Sequence, residues 1–300
     1  MATLQRYLDP AVLAGIAHLE LVAKTVVDGF ISGLHRSPDF GFSQEFAEYR
    51  MYTPGDDLRH VDWNVYARTD RCYLKRYHGE TNTLVTLLLD ASASMAFSSQ
   101  TTSKIEYARF LAASLAYLTN QQRDAGGLIV FDDDIRQYVA PSARHGQMHR
   151  ILHAIGKAEP SEFTLTEFTK PFLHFQQFLF RRGIVVVISD FYPPAEEVIK
   201  PILPLRYRGN EVALFHIADP EEIHGPKLRG PSLLVDMETR EEIEVTPDYV
   251  KNEYRPRFQA HVAALRTEAQ KVGMDYFLVD TSRPLDGALR EYLMIRQGRM

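Results

Sequence analysis

The sequence predicts an α/β protein built on a doubly wound, mainly parallel sheet, preceded by a helical extension at the N-terminus. Apolar runs of strand length, such as residues 83–89 and 183–188, alternate with segments of helical periodicity between Thr83 and Ile295. Uninterrupted apolar runs are typical of strands that are buried on both faces, as parallel strands are. Regular alternation of such strands with helices is typical of a parallel sheet that carries helices on both faces.

The predicted extension occupies residues 1–80 and begins with an amphipathic helix. Asp9 supplies a capping side chain, and Pro10 takes the first helical position. Apolar residues then recur at three- and four-residue multiples as far as Phe30, and glycine and proline residues end the pattern. We expect the apolar face of this helix to pack against the core.

The second part of the extension, residues 50–80, mixes aromatic side chains with charges of both signs. It contains six Lys or Arg residues against five Asp or Glu residues. Because the acidic residues nearly balance the basic ones, internal ion pairs, such as Asp56 or Asp57 with Arg59, are favoured over a nucleic-acid surface. Trp63, the only tryptophan, is expected to anchor local packing.

Residues 81–300 are predicted to form the main domain. After a first strand in the extension, at residues 74–77, the expected strands are 83–89, 128–131, 135–139, 183–188, 211–217, 232–236, 242–245 and 275–279. The expected helices are 104–122, 144–157, 166–182, 196–206, 247–273 with a break near Pro256, and 285–295.

The composition excludes several classes of protein. A formal net charge of -5 argues against a dedicated nucleic-acid binder. A single cysteine, Cys72, excludes an intrachain disulfide and fits a reducing compartment. No apolar run approaches the ~20 residues that a membrane span needs, and the N-terminus lacks the layout of a signal peptide. We therefore expect a cytoplasmic protein that binds neither nucleic acid nor membrane.

Three oxygen-bearing side chains follow the first strand of the main domain. Asp90 ends the strand, and Ser92 and Ser94 follow at every second position. Ligands of open α/β sheets gather beyond the carboxyl ends of the strands, and oxygen-only donors suit a hard cation such as Mg²⁺. A strand that ends in an Asx or Ser turn explains the same residues without a metal, so both interpretations stay open on these residues alone.

Two further groups of residues admit both a structural and a metal-binding interpretation. The turn formed by residues 132–134, three aspartates, is either solvated or an acidic rim beside Asp90. A predicted helix carries His145, His149 and His153 on one face, where two histidines can share a metal. An exposed or half-buried histidine face is the structural alternative, and it is favoured because the glutamate of a metalloprotease helix is missing.

The sequence resembles two known patterns. The arrangement D-x-S-x-S after a hydrophobic strand, here residues 90–94, resembles the metal-ion-dependent adhesion site (MIDAS) of von Willebrand factor A-like domains. Residues 50–80, with Gly55-Asp56-Asp57 followed by Asp62-Trp63, resemble the DUF58 family, and a looser similarity extends towards the C-terminus. Members of that family resemble A-like domains with an extra N-terminal segment, which implies the same architecture here.

The resemblance also implies a complete metal site. In the A-domain pattern, a threonine before a helix and an aspartate at the end of the next strand join the D-x-S-x-S residues. Thr166 and Asp190 fall in the required order and context, and Thr164 is a competing candidate for the threonine. The ligand set implied for Mg²⁺, or Mn²⁺, consists of Asp90, Ser92, Ser94, Thr166 and Asp190.

The function that the resemblance implies is that of a non-catalytic adaptor. A cation held mainly by neutral hydroxyl groups favours an outside carboxylate, so a partner protein would bind through an acidic side chain. The family further implies a MoxR-type AAA+ ATPase as the partner, and chaperone-like assembly or maturation of other proteins as the role.

Two alternatives to the adaptor are a metal-dependent, phosphatase-like hydrolase and a structural module with a vacant metal site. An aspartate-nucleophile phosphatase would have a second carboxylate where Ser92 lies. The sequence also lacks the glycine-rich phosphate-binding motifs and the G-x-S-x-G motif of hydrolases. We therefore expect that the protein is not an enzyme.

Overall fold

The computed structural model describes most of the chain, with several gaps near the N-terminus. The described residues are 10–13, 18–34, 46–53, 61, 63–69, 71–77, 83–161, 169–175, 177–178, 181–235 and 242–297. The chain divides into two compact units, one of residues 1–33 with 83–300 and one of residues 34–82. The predicted boundary between residues 80 and 81 stays a prediction. It was drawn from sequence patterns, whereas these two units are defined by their compactness.

The described helices alternate with the strands along the larger unit. The helices are α1 (Pro10–Leu13), α2 (Leu19–Leu34), α3 (Trp63–Thr69), α4 (Lys104–Gln121), α5 (Gln147–Gly156), α6 (Thr169–Phe175), α7 (Ala195–Tyr207), α8 (Pro220–His224), α9 (Pro247–Tyr249), α10 (Arg255–Lys271) and α11 (Leu285–Gln297). Within the ranges given above, every helix falls short of the length and apolar character that a membrane span requires.

The strands are β1 (Phe46–Met51), β2 (Tyr73–Tyr77), β3 (Leu84–Asp90), β4 (Ala125–Phe131), β5 (Ile135–Ser142), β6 (Ile184–Ser189), β7 (Glu211–Ala218), β8 (Ser232–Val235), β9 (Glu242–Val245) and β10 (Asp275–Asp280). A six-stranded sheet has the order β10-β7-β6-β3-β4-β5. Its neighbouring strands are parallel except for β4 and β5, which form an antiparallel hairpin.

Helices cover both faces of the six-stranded sheet. On one face, buried side chains such as Leu88 and Val187 pack with apolar residues of α6, α7 and α10. On the other face, α4 lies against β3 and β4 and contacts both α5 and α11. The predicted fold class, a doubly wound and mainly parallel α/β sheet, is therefore confirmed.

The smaller unit contains an antiparallel pair, β1 with β2, and the short helix α3. Trp63 is 58% exposed, and its ring meets the edge of Tyr66 with 6.1 Å between the ring centroids. The described ring contact of Trp63 lies within α3 itself, and its role as an anchor of local packing stays a prediction. The predicted ion pairs of Asp56 or Asp57 with Arg59 lie outside the described residues.

Glycine explains two differences between the predicted and observed boundaries. Strand β4 begins at Ala125 and includes Gly127, where a Cβ would lie 2.7 Å from the Cγ atom of Pro141 in β5. The glycine thus permits close approach of the hairpin strands, although its weak strand propensity hid the start of β4. Helix α5 begins only after Gly146, whose φ of 83° is left-handed, so His145 lies outside the helix.

The helix predicted at residues 247–273 is divided, as expected for a break near Pro256. A π-helical segment at Val250–Tyr254 separates α9 from α10, and Pro256 lies in the first turn of α10. Proline is tolerated there because the first N–H groups of a helix have no partner within it.

The carboxyl ends of three adjacent strands each carry an aspartate. Asp90 is the last residue of β3, Asp190 directly follows β6, and Asp219 directly follows β7. Because β7, β6 and β3 are parallel neighbours, these ends lie at the same edge of the sheet. The fold therefore brings the predicted residues Asp90 and Asp190 to one edge and adds Asp219.

Candidate metal site at the sheet edge

The Asp90 carboxylate is fully buried and is bound by neutral donors. Its Oδ1 atom accepts a hydrogen bond of 2.8 Å from the backbone N–H of Ser92. Its Oδ2 atom accepts one of 2.6 Å from the hydroxyl of Ser189. Burial and the nearby Asp190 carboxylate raise the pKa of Asp90 to about 7, although these two hydrogen bonds act in the opposite direction. Neither of these described hydrogen bonds to the Asp90 carboxylate comes from a cationic side chain.

The two serine hydroxyls of the predicted motif lie side by side. A short 3₁₀ turn at Ala93–Ala96 follows β3 and folds the loop back, so that both Ser92 and Ser94 are buried. Their Oγ atoms are 3.1 Å apart. In an extended strand, side chains two residues apart are separated by about 6–7 Å. The 3₁₀ turn therefore brings the two hydroxyls together.

The Asp190 carboxylate has a cationic partner on one oxygen and none on the other. The ammonium group of Lys104, at the start of α4, donates a 2.8 Å hydrogen bond to Asp190 Oδ2. The Oδ1 atom is buried and has no hydrogen-bond partner among the described residues. An unpaired buried carboxylate oxygen is costly, and a bound cation is one way to satisfy it.

The turn after Asp190 is held in an uncommon backbone conformation. Phe191 has a φ of 46°, a left-handed conformation that is rare for a bulky residue, and its ring is fully buried. Its N–H donates to Ser189 Oγ at 3.1 Å, and its carbonyl oxygen lies 2.8 Å from Nε2 of His261 in α10. Ser189 thus contacts both aspartate-bearing loops, because its hydroxyl also donates to Asp90.

Lys104 is the centre of a second group of buried charges. Its ammonium lies 2.7 Å from Glu222 Oε1 as well as 2.8 Å from Asp190, and its side chain is completely buried. Burial alone would lower the pKa of Lys104, but attraction to Asp190 and Glu222 outweighs that effect and raises the pKa above its ordinary value. The Tyr192 hydroxyl also donates to Glu222 Oε1, at 2.6 Å, so Glu222 joins Lys104 to a second buried donor.

The third strand-end aspartate ties another loop to this network. Asp219 caps α8 by accepting from the N–H of Glu221, and its own N–H donates to Glu222 Oε2 at 2.8 Å. Ser99, in the loop after β3, donates to the Asp219 carboxylate through both its N–H and its hydroxyl. The loops after β3, β6 and β7 are therefore linked through Lys104, Asp219 and Glu222.

The residues at this edge fit a small divalent cation. Metal–oxygen distances of roughly 2.0–2.1 Å put two adjacent oxygens of an octahedral Mg²⁺ shell about 2.9 Å apart, close to the spacing of Ser92 Oγ and Ser94 Oγ. Asp190 Oδ1 offers a free carboxylate oxygen, and Asp90 offers negative charge beside it. No group of three or more His, Cys, Asp or Glu side chains in the described ranges is arranged to hold a metal ion, so a cation here would also need the hydroxyls.

The threonine of the predicted ligand set lies outside the described residues. Thr166 and its competitor Thr164 both fall in the gap between residues 161 and 169. The structure therefore brings four predicted residues together, namely Asp90, Ser92, Ser94 and Asp190, and leaves the threonine as a prediction.

The three-aspartate turn at residues 132–134 contacts the loop after β3. Asp132 is buried, and its Oδ2 atom accepts a 2.6 Å hydrogen bond from the hydroxyl of Ser161. The backbone N–H of Ser161 donates to the carbonyl oxygen of Ala91, next to Asp90. Asp134 differs, because it is only half-buried and pairs with Lys170 and His174. One member of the turn is thus part of the edge, while another is at the surface.

The histidines of the α5 region do not form a cluster at this edge. His149 and His153 are exposed on α5, and His145 precedes the helix. The structural alternative, an exposed histidine face, describes the two helical histidines.

Sequence reasoning missed Lys104, Glu222 and Asp219. The sequence did contain a signal for Asp219. The apolar strand at residues 211–217 is followed by Asp219-Pro220, a pair that is typical of a helix start. Lys104 had no comparable signal, since it begins a helix in a position that is ordinarily exposed. Its burial depends on Asp190 and Glu222, which follow 86 and 118 residues later.

Comparisons with known proteins agree with the resemblance in the sequence. The family model described as "Protein of unknown function DUF58" matches residues 48–268. A Mycobacterium tuberculosis protein described as "Uncharacterized protein Rv1480" is 27% identical over 239 residues, which cover 77% of this chain and 72% of that relative. A Mycobacterium bovis protein, "Uncharacterized protein Mb1516", matches with the same figures.

Solved structures with a similar fold have low sequence identity. BatB from Bacteroides thetaiotaomicron has a TM-score of 0.47 and 17% identity, over 70% of this chain and 96% of that chain. The SpRpn10 VWA domain has a TM-score of 0.41 and 11% identity, over 69% of this chain and 93% of that chain. At these TM-scores we rest the fold assignment on the order and direction of the strands described above.

Proposed function

The chain belongs to the DUF58 family, and on that premise we propose that it is a non-catalytic adaptor that docks a partner protein through a divalent cation. The proposed cation is Mg²⁺ or Mn²⁺, bound by Ser92, Ser94 and Asp190, with Asp90 supplying further negative charge. In this proposal Thr166 completes the ligand set, and Thr164 is the alternative.

One observation carries the proposal. Asp190 Oδ1 is buried without a partner among the described residues, beside an Asp90 carboxyl whose pKa is raised to about 7 by burial and by Asp190 itself. Five carboxylates are buried at this edge, and Lys104 is the buried cation found with them in the described part of the chain; the five are Asp90, Asp132, Asp190, Asp219 and Glu222. This imbalance of charge favours binding of a further cation.

The proposed ligand set explains why a partner carboxylate would bind. When bound, the cation supplies a positive charge that is only partly neutralised, because two of its proposed ligands are neutral hydroxyls. Mg²⁺ prefers six oxygen ligands and keeps exchangeable waters, so an outside carboxylate can replace one of them. A single charged contact of this kind can contribute much of the energy of an interface.

The geometry also supports the non-catalytic part of the proposal. Asp90, which occupies the place of a phosphatase nucleophile, is fully buried, and both of its oxygens accept hydrogen bonds. Lys104, which could stabilise a transferred phosphoryl group, is bound to Asp190 and Glu222 instead. An exposed nucleophile and a free cation are what phosphoryl transfer would need.

The proposed partner is a MoxR-type AAA+ ATPase, with which the protein would act in assembly or maturation of other proteins. This part of the proposal rests on the family resemblance, and the site adds the chemical requirement that the partner present an Asp or Glu side chain. We expect binding to need Mg²⁺, and Mn²⁺ to replace it because both ions accept oxygen ligands.

The test is the affinity of the protein for the MoxR-type ATPase of the same organism, measured in Mg²⁺, in Mn²⁺ and in EDTA. We expect tight binding in either metal, loss of binding in EDTA, and loss of binding in a Ser92→Ala, Ser94→Ala double variant. Ser282→Ala, which changes an exposed serine in the turn after β10, is the matched control and should bind as the wild type does. Equal affinities in Mg²⁺ and EDTA would contradict the proposal.

A further inference from the structure

Lys104 is a charged side chain that directly contacts a proposed metal ligand. Its ammonium occupies Asp190 Oδ2 at 2.8 Å, on the carboxylate whose Oδ1 atom has no partner among the described residues. Because Lys104 binds Oδ2, the Asp190 carboxylate has one oxygen that is already bonded and one, Oδ1, that is available to a cation.

The ammonium group is held in place from several sides. Glu222 Oε1 accepts its second hydrogen bond at 2.7 Å. The ring centroids of Tyr192 and Phe97 lie 4.7 Å and 5.8 Å from the ammonium nitrogen, within the range of cation–π attraction. Because the side chain is completely buried, Lys104 has no alternative position in solvent. We expect Lys104 to keep its hydrogen bond to Asp190 Oδ2 when a metal binds.

We propose that Lys104 is a specificity-determining residue of the cation site, which selects Mg²⁺ and Mn²⁺ over Ca²⁺ by allowing Asp190 to offer only one oxygen. This inference rests on the metal site of the proposed function. It goes beyond that function because it assigns the choice of ion to a residue outside the ligand set.

The physical basis is the different coordination of the two ions. Mg²⁺ takes about six oxygens in a near-ideal octahedron and keeps several waters, so one carboxylate oxygen and two hydroxyls suit it. Ca²⁺ takes roughly 6–8 oxygens at longer distances and often uses both oxygens of a carboxylate, and its affinity rises with the number of charged ligands. By occupying Oδ2, Lys104 prevents bidentate binding and also adds a positive charge near the site.

The test uses a charge-balanced double variant, Lys104→Met with Glu222→Gln. The double variant removes one positive and one negative charge, so Glu222 is not left as an unpaired buried carboxylate. The amide oxygen that Glu222→Gln introduces can still accept a hydrogen bond from the N–H of Asp219. Titration calorimetry with Mg²⁺, Mn²⁺ and Ca²⁺ should show that the wild type prefers the two smaller ions. In the double variant, the ratio of Ca²⁺ affinity to Mg²⁺ affinity should rise about tenfold.

The affinity ratio separates ion selection from a merely structural role. Glu222→Gln alone keeps Lys104 on Asp190 and should therefore keep the preference of the wild type. Loss of Mg²⁺ and Ca²⁺ binding in equal proportion in the double variant would show that Lys104 only supports the fold, and would overturn the inference. If circular dichroism shows that the Met variant is unfolded, Lys104→Gln with Glu222→Gln replaces it, because the shorter glutamine also releases Asp190 Oδ2, and the same rise is required.

The outcomes for the wild type distinguish this inference from the proposed function. A wild-type protein that binds Ca²⁺ as tightly as Mg²⁺ overturns the role of Lys104 but leaves metal-dependent docking intact. A wild-type protein that binds none of the three ions overturns the proposed function, and the inference with it.

Discussion

Asp90 and Asp190 end two adjacent strands of the same sheet, yet their surroundings differ. Both carboxylates are buried, at 0% and 3% exposure. Among the described residues, the donors to Asp90 are neutral, namely the N–H of Ser92 and the hydroxyl of Ser189. Asp190 instead has the ammonium of Lys104 on one oxygen. The same local pattern, an apolar strand followed by aspartate, thus gives one carboxylate without a positive partner and one with a partner from a distant part of the chain.

The largest effect on stability should follow removal of the Lys104 ammonium group, which binds Asp190. Lys104→Met leaves Asp190 and Glu222 as buried carboxylates without a counterion, and breaking a buried pair in this way costs ~3–5 kcal/mol. The free energy of unfolding from urea denaturation in EDTA measures the loss.

Lys271→Met is the matched control for this variant. Lys271 is 62% exposed in its side chain and pairs with Glu268 at the surface of α10, so the cost should be at most about 1 kcal/mol. Equal losses in the two lysine variants would show that the buried pair contributes no more than a surface pair.

The second effect is a difference in the free energy of unfolding between variants of the two aspartates. In EDTA at pH 8, Asp190→Asn removes the charge that binds Lys104, and a hydrogen bond to a charged group contributes about 1.5–3 kcal/mol. Asp90→Asn removes a charge that has no cationic partner, so its cost should be smaller. Urea denaturation of both variants provides the comparison, and a larger loss for Asp90→Asn would contradict the different environments described here.

The third effect is a dependence of stability on pH in the metal-free protein. The pKa of Asp90 is raised from 3.8 to about 7, so between these values the folded protein binds a proton that the unfolded chain has lost. This contribution is therefore present at low pH and is lost as pH rises through about 7. Unfolding in EDTA across this pH range should show the fall in the wild type and a smaller fall in Asp90→Asn.

Saturating Mg²⁺ should reduce the same fall, because a bound cation favours the ionised carboxylate. Identical pH profiles for the wild type and Asp90→Asn would show that Asp90 does not titrate in this range.

The smallest effect is expected at the histidines. His149 and His153 are exposed on α5, away from the contacts that link the sheet edge. A His149→Ala, His153→Ala double variant should bind Mn²⁺ with unchanged affinity and unfold within about 0.5 kcal/mol of the wild type. A marked loss of Mn²⁺ affinity would move the metal site to α5.

Most of the fold could be predicted, because the strands and helices have strong local signals. The buried runs of β3 and β6, for instance, have no charged residue before their terminal residues, and the period of α4 is regular. Boundaries were missed where local propensity conflicted with tertiary packing, as in β4, which contains Gly127 because Pro141 needs the space.

The candidate site could be predicted only in part. Asp90, Ser92 and Ser94 are close in sequence, so a local pattern identifies them. The contacts of Lys104 with Asp190 and Glu222 depend on the spatial order of β3, β6 and β7, which no local pattern contains. Whether each carboxylate has a cationic partner is decided only when these strands come together in the fold. The difference between Asp90 and Asp190 could therefore not be predicted from the sequence.

The most direct test of the central claim, that a divalent cation binds between the ends of β3 and β6, is the anomalous diffraction of crystals grown with Mn²⁺. We expect one anomalous peak within about 2.3 Å of the hydroxyl oxygens of Ser92 and Ser94 and of Asp190 Oδ1, and no peak there in crystals of Asp190→Ala. The claim would be contradicted by wild-type crystals, soaked at saturating Mn²⁺, that show no peak at this edge of the sheet.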